Sequence, residues 1–330
     1  LPDYHLPYER RELCKMQQRD SYFGPVYDFV ASGITPSNRK AAKRIINLAE
    51  NFVLVEQVLF RLLIDESTDE AKLTLCVPEE LLPAILHIYH SSLLSGHIGV
   101  QRTYATLRRL FHIPNLYEKV LTYVRTCTVC QERKTPKDQN IPLVPRIPVN
   151  YTPFSYISFD LKFMPPSSRG HKYILVVVCV VTRYVIAVPL YSSDACAIAE
   201  ALLEHVIFCF GPPKQIEHDA DPALCSCIFS YIWDALKVKK TVVSVGNHGS
   251  LVAERFIRTI SDILIAQIRN KGGAWDRYIR CACFAHNTCA SLTLGGYSPF
   301  NLVYSRENPD LLSLDLPNTT DMATAYKDYA

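Results

Sequence analysis

The sequence predicts an α/β chain: a mixed-sheet core preceded by a small helical domain held together by a metal ion. Three observations predict it. Strand-like apolar runs at 155–164, 173–181 and 183–190 follow one another, and helical and strand patterns then alternate. A proline-rich polar stretch at 136–153 reads as a linker between domains. Upstream of it, His90, His97, Cys127 and Cys130 have spacings that suit one zinc ion.

In order, residues 1–75 read as a helical N-terminal extension. "TPSN" (35–38) offers a turn and an N-cap, the first half of 40–64 has helical character, and the apolar stretch after it suits a hairpin. Residues 76–135 read as the zinc-binding domain, with helices at 78–92, 100–111 and 116–127 and a break at "GHIG" (96–99). The core is expected over 154–311. Its first three strands lead into a helix at 192–210 capped by Ser192 or Ser193. "KQIEH" is a short fourth strand that delivers Asp219, 224–237 is helical, and "VKKTVVSV" is a fifth strand. "GNHGS" forms a loop before helices at 251–270 and 274–289, and 312–330 reads as a tail.

Composition narrows the class further. Of 330 residues, 48% are hydrophobic and 20% charged, which is globular rather than disordered usage. A net charge of +3 does not by itself point to nucleic acid. The longest apolar run, "YILVVVCVV" (173–181), lies between Lys172 and Arg183 and is too short to span a bilayer, so no membrane partner is expected. The twelve cysteines include Cys179, Cys196, Cys209, Cys281 and Cys283 in apolar strands or helices, where a thiol acts as a small hydrophobe in a reducing compartment. The opening is charged and begins with Leu, so the chain is expected to be a fragment or a piece of a polyprotein.

Zinc accepts two imidazoles and two thiolates in a tetrahedron, and the Cys127–Cys130 turn presents two sulfurs to one ion. His87 and His112 compete with His90 and His97 as ligands, and a redox pair is the rival reading of the cysteines. Four protein ligands leave no open position, so the role is structural.

Three carboxylates raise a separate question. Asp160 lies between Phe159 and Leu161 in a strand, where a buried acid without a partner is costly. Asp219 ends a strand, and Glu254 stands in the first turns of a helix. Taken singly, such an Asp caps a helix, as Asp221 also can, and such a Glu faces solvent. Taken together they can converge, repel one another, and hold hard divalent cations. Two such ions about 3.5–4 Å apart serve phosphoryl transfer.

With His90, His97, Gly99, Cys127, Cys130, Gln131 and Lys134, followed by Asp160, Asp219 and Glu254, the chain resembles the integrases of gypsy-type LTR retrotransposons and, more distantly, retroviral integrases. The resemblance runs over roughly residues 45–311 and includes "KYILVVVCVVTRYVIAVPL", "NHGSLVAERFIRTI" and "GGYSPFNLVYSRENPDL". It implies a ribonuclease-H-like core and a polynucleotidyl transferase that trims 3′ ends and joins them to target DNA. It also implies structural Zn²⁺ and two Mg²⁺ or Mn²⁺ ions on Asp160, Asp219 and Glu254. Double-stranded DNA, a homo-oligomer and a nuclear site of action, after a cytoplasmic particle, follow from it too. Asn247, His248, Arg255 and Arg258 are the candidate DNA contacts, with Lys239, Lys240 and Lys271 as further phosphate candidates. The stretch from Asp219 to Leu224 lacks the family's glycine, which makes Asp221 a rival ligand. The family's C-terminal DNA-binding domain is not evident. The alternatives are a domesticated or degenerate integrase-like protein that binds DNA or protein without catalysis, and a nuclease that cuts without joining.

Overall fold

The computed structural model describes residues 10–64, 71–132, 152–219, 221, 223–224, 226–243, 252–268 and 273–308. Asn247, His248, Lys271, most of the expected linker and the expected tail lie outside the described residues. The described residues divide into two compact units. One comprises residues from 10 to 89 with 103–123, the other 90–102 with residues from 124 to 308.

In the first unit, helices α1 (Arg10–Arg19), α2 (Gly24–Ser32) and α3 (Arg39–Ala49) precede a sheet. Strands β1 (Phe52–Val55), β2 (Val58–Ile64) and β3 (Ala71–Cys76) pair antiparallel, and the short β4 (Phe111–His112) adds parallel to β3. Within the expected helical extension over 1–75, the hairpin expected after the first half of 40–64 is the β1–β2 pair, and β3 adds a strand the sequence reading did not expect. The β1–β2 turn is made by Glu56 and Gln57, both at positive φ, a two-residue hairpin turn without the usual glycine or asparagine. Gln17 is fully buried, and its amide donates to the carbonyls of Leu59 (3.0 Å) and Cys76 (2.7 Å) while accepting from Leu59 N–H (2.8 Å). A satisfied buried amide of this kind ties α1 across β2 and β3. Asn38 caps α3 by accepting from Lys40 and Ala41 N–H.

The helices α4 (Leu82–Leu86), α5 (Val100–Leu110), α6 (Leu116–Thr126) and α7 (Thr128–Gln131) follow, with a π-helical turn, His87–Ser91, after α4.

The second unit carries a five-stranded mixed sheet. Strands β5 (Tyr156–Phe163), β6 (Tyr173–Cys179) and β7 (Val185–Leu190) form an antiparallel meander. β8 (Gln215–Asp219) joins β5 in parallel, and β9 (Lys239–Val243) joins β8 in parallel, giving the order β7-β6-β5-β8-β9. This is the ribonuclease-H-like α/β arrangement. Alternation along the strands divides the core into two layers. Phe159, Leu175 and Val177 pack with α8 (Ala195–Leu202), α9 (Phe208–Phe210) and α10 (Cys227–Ala235) on one face. Ile174, Val176 and Val178 pack with α11 (Val252–Gln267) and α12 (Trp275–Thr288) on the other. α13 (Pro299–Tyr304) follows, opened by a Ser298–Asn301 capping box.

The cap of α8 is Asp194, which accepts from Ala197 N–H, rather than Ser192 or Ser193. Ser192 hydrogen-bonds the Asp194 carboxylate, so the serine supports the cap instead of forming it. Among the described residues, no helix is long and apolar enough to cross a membrane.

Candidate metal centres

His90 sits in the π-helical turn after α4, and His97 follows a sharp loop. Gly96 (φ +60°) and His97 (φ +52°) are both left-handed, and His97 N–H closes the loop onto the His90 carbonyl at 2.9 Å. Glycine is required at 96 on two counts. A side chain there would be strained at that φ, and its Cβ would fall 2.5 Å from Ile263 Cγ2. Cys127 occupies the N-cap position of α7, and Cys130 lies in the helix.

These four side chains form the one cluster of ligating groups, among the described residues, whose donor atoms all lie within 4.8 Å of one another. Cys127 Sγ is 3.3 Å from His97 Nδ1, Cys130 Sγ is 3.4 Å from His90 Nε2, and Cys130 Sγ is 4.0 Å from His97 Nδ1. A tetrahedral zinc with Zn–N near 2.0–2.1 Å and Zn–S near 2.3 Å separates N from S by about 3.6 Å, so the donor set fits that ion. His90 Nδ1 lies 2.9 Å from the Ile98 carbonyl, which accepts its proton and leaves the Nε2 lone pair for a metal.

The rival histidines stand apart. His87 is exposed. His112 lies in β4, its Nδ1 3.1 Å from Arg61 and its ring against Phe23 and Phe52. Burial, then the Arg61 charge, pull it down to about 4, so it is a neutral acceptor for Arg61.

The three acids come from three elements of the second unit. Asp160 is in β5, on the strand face that carries Tyr156, Ser158 and Lys162 toward α11, and it is half-buried. Asp219 ends β8, and Glu254 is the third residue of α11, where a negative charge suits the helix N-terminus. Their fields overlap at Asp160. Burial, and then the charges of Asp219, Glu254 and Asp221, raise its carboxyl to about 6 against the opposing Leu161 N–H bond. The acids are less tightly gathered than the zinc donors, since they form no cluster within 4.8 Å. As a donor set they nevertheless fit a divalent cation: hard oxygens, mutual repulsion and partial burial. Asp221 does have a local role, accepting from Ala223 N–H at 2.8 Å.

Two polar residues of the second unit were missed in the sequence. Glu217 is buried two residues before Asp219, accepts from Tyr156 Oη at 2.9 Å, and is raised by burial. The i, i+2 alternation of a strand would have put it on the Asp219 face. Arg183, in the β6–β7 turn, is half-buried at φ +62°, and burial and then the Arg255 charge lower it. Arg255 and Arg258 are exposed on α11.

Residues 77–136 match the family model described as the integrase zinc-binding domain. The chain is 28% identical over 229 residues to the retrovirus-related Pol polyprotein from transposon 412 of Drosophila melanogaster, covering 68% of this chain and 18% of the relative. It is 25% identical over 284 residues to the Gypsy retrotransposon integrase-like protein 1 of Mus musculus, covering 84% of this chain and 52% of the relative. A simian T-cell lymphotropic virus intasome, solved in complex with the PP2A regulatory subunit B56 gamma, aligns at TM-score 0.47 and 18% identity over 69% of this chain and 76% of that one. The chain is thus an α/β protein in which residues 77–136 match an integrase zinc-binding domain model. It is similar to the gypsy-type retrotransposon integrases and spans about half, or less, of the length of these curated relatives.

Proposed function

We propose that the chain is a polynucleotidyl transferase of the integrase type, which processes DNA 3′ ends and joins them to target DNA. The observation that carries this reading is the placement of Asp160 in β5, Asp219 at the end of the adjacent parallel β8 and Glu254 in the first turn of α11, which is bonded to β5 through Ala253 N–H and Ser158. Asp160, Asp219 and Glu254 would hold two Mg²⁺ or Mn²⁺ ions, with Asp221 as a neighbouring acid. Bound there, the cations supply charge neutralisation for an attacking and a leaving oxygen.

The chain's own groups do the rest. The carboxylates fix the positions of positive charge, and α11 presents Arg255 and Arg258 to the phosphate backbone. In the joining step a 3′-hydroxyl oxygen forms a new bond to phosphorus. The bond from that phosphorus to the target strand's 3′-oxygen breaks, and one proton passes to the leaving oxygen. His90, His97, Cys127 and Cys130 would hold zinc in a structural role. The proposed setting is nuclear, with a homo-oligomer as the working form. Exposed Phe208 and Tyr231 give the second unit apolar surface suited to self-association.

A labelled DNA end incubated with the full chain and Mn²⁺ should yield joined products, and Asp160→Asn should abolish them without unfolding the protein. A second reading, DNA binding without chemistry, is favoured by the looser gathering of the acids relative to the zinc donors. DNA binding with no cleaved or joined product, in wild type and variant alike, would establish that reading instead.

A further inference from the structure

The geometry points to Ser158 and Lys162 as positioning residues that lock α11 in register against β5, and so set Glu254 against Asp160. The inference rests on the proposed role of those acids.

Both contacts come from the strand that carries Asp160, on the same face. Ser158 is fully buried, and its Oγ accepts from Ala253 N–H at 3.2 Å. Ala253 is the second residue of α11, so this N–H is one of the first-turn donors with no partner inside the helix. Serine is a favoured capping residue because its oxygen satisfies such a donor. Here the cap reaches the helix from a strand remote in sequence, and it bonds the residue directly before Glu254. Lys162 Nζ donates to Ser261 Oγ at 2.9 Å, and Ser261 is itself buried.

The spacings match. Ala253 to Ser261 is eight residues, about 12 Å of helix at 1.5 Å per residue. Ser158 to Lys162 is four residues, about 13 Å of strand at 3.3 Å per residue. Two bonds at equal separation on helix and strand fix the slide of one along the other. Asp160 lies midway between the two anchors. A slip of one helical turn, about 5.4 Å, would break both bonds and move Glu254 by more than the spacing between two bound cations. The apolar neighbours Ile257, Ile260 and Leu264 hold α11 down on the sheet but discriminate its register poorly, because aliphatic side chains repack. The polar pair supplies that discrimination beside the acids, while Gln267 at the far end of α11 donates to the Leu93 carbonyl at 2.6 Å.

The test compares wild type with Ser158→Ala, Ser158→Thr, Lys162→Met and the Ser158→Ala/Lys162→Met double variant, all zinc-loaded. Three readouts are taken: Mn²⁺ affinity by electron paramagnetic resonance, amide exchange at Ala253 and Glu254, and strand-transfer kinetics. The double variant should stay folded, exchange faster in the first turn of α11, and bind Mn²⁺ about tenfold more weakly or worse. Its kcat should fall by a similar factor with KM for the DNA end unchanged, and Ser158→Thr, which keeps the hydroxyl, should match wild type in all three. Wild-type exchange and Mn²⁺ affinity in the double variant would overturn the inference and leave the proposed function standing. Weakened Mn²⁺ binding in the variant, with no joining even by wild type, would refute the proposed function and leave the register lock intact.

Discussion

Asp160→Asn should make the metal-free protein more stable, and only above a definite pH. The folded protein raises the Asp160 carboxyl from 3.8 to about 6, chiefly through burial. The folded state therefore binds this proton more tightly than the unfolded chain does. Below about pH 4 both states are protonated and the group costs nothing. As pH rises from 4 through 6, the unfolded chain releases the proton freely while the folded one must ionise a half-buried acid beside like charges, so stability falls. At about 1.36 kcal/mol per pKa unit the full shift corresponds to about 3 kcal/mol. Partial exposure and solvent screening reduce that to about 1–2 kcal/mol. Asparagine keeps an oxygen for the Leu161 N–H bond (2.8 Å) and carries no charge, so it recovers most of this amount. At about 2–4 °C per kcal/mol for a domain of this size, the Asn variant should melt about 2–8 °C higher at pH 7.5. The assay is thermal unfolding of zinc-loaded protein without Mg²⁺ or Mn²⁺ between pH 4 and 8. The gain should vanish near pH 4, and added Mn²⁺ should stabilise wild type but not the variant. Equal melting temperatures at pH 7.5, or a gain independent of pH, would refute the reasoning that the folded protein ionises Asp160 at a cost.

Other consequences are direct. Cys130→Ser and His90→Ala should lose the zinc ion, measured as metal per chain, whereas His87→Ala and His112→Phe should retain it, since neither residue belongs to the donor cluster. Acidification should release the zinc as the thiolates and imidazoles protonate, detected with a chromogenic chelator. Replacing Arg255 and Arg258 by Gln should lower the slope of log K against log [salt] for DNA binding by about 0.9 per lost phosphate contact, read from titrations at several salt concentrations. Phe159→Ala should cost about 3–5 kcal/mol in urea unfolding, because the ring is fully buried against His218 and Phe229.

The sequence speaks clearly where one residue type serves one chemistry at a fixed spacing. Two cysteines three apart announce a metal turn, and an aspartate between Phe159 and Leu161 announces a purpose because burial makes it costly. The strand pattern of the core was legible because three β-branched runs had no room for helices between them. In the N-terminal extension the hairpin was legible but the third strand, Ala71–Cys76, was not, because a short apolar run does not separate helix from strand by period. Ser158 was silent for a different reason. A serine in a strand is unremarkable until the helix terminus it caps, ninety-five residues away in sequence, is folded over it. Arg183 and Glu217 likewise gain meaning only from neighbours brought by topology.

Topology also explains why the acids belong where they are. β5 is the strand at which the sheet changes character, antiparallel to β6 on one side and parallel to β8 on the other. In open α/β sheets such a change leaves a crevice beyond the strand ends, because the connections on either side depart in different directions. Asp160 and Asp219 lie toward the C-terminal ends of the two parallel neighbours at that point, and α11 brings Glu254 over them. The apolar residues of β6 on the same face, Ile174, Val176 and Val178, confine the polar strip to β5 and β8. The fold thus concentrates its unfavourable charge on two adjacent strands. The buried aliphatic layer under α11 and α12 offsets that cost, and a divalent cation at the acids would turn repulsion into binding energy.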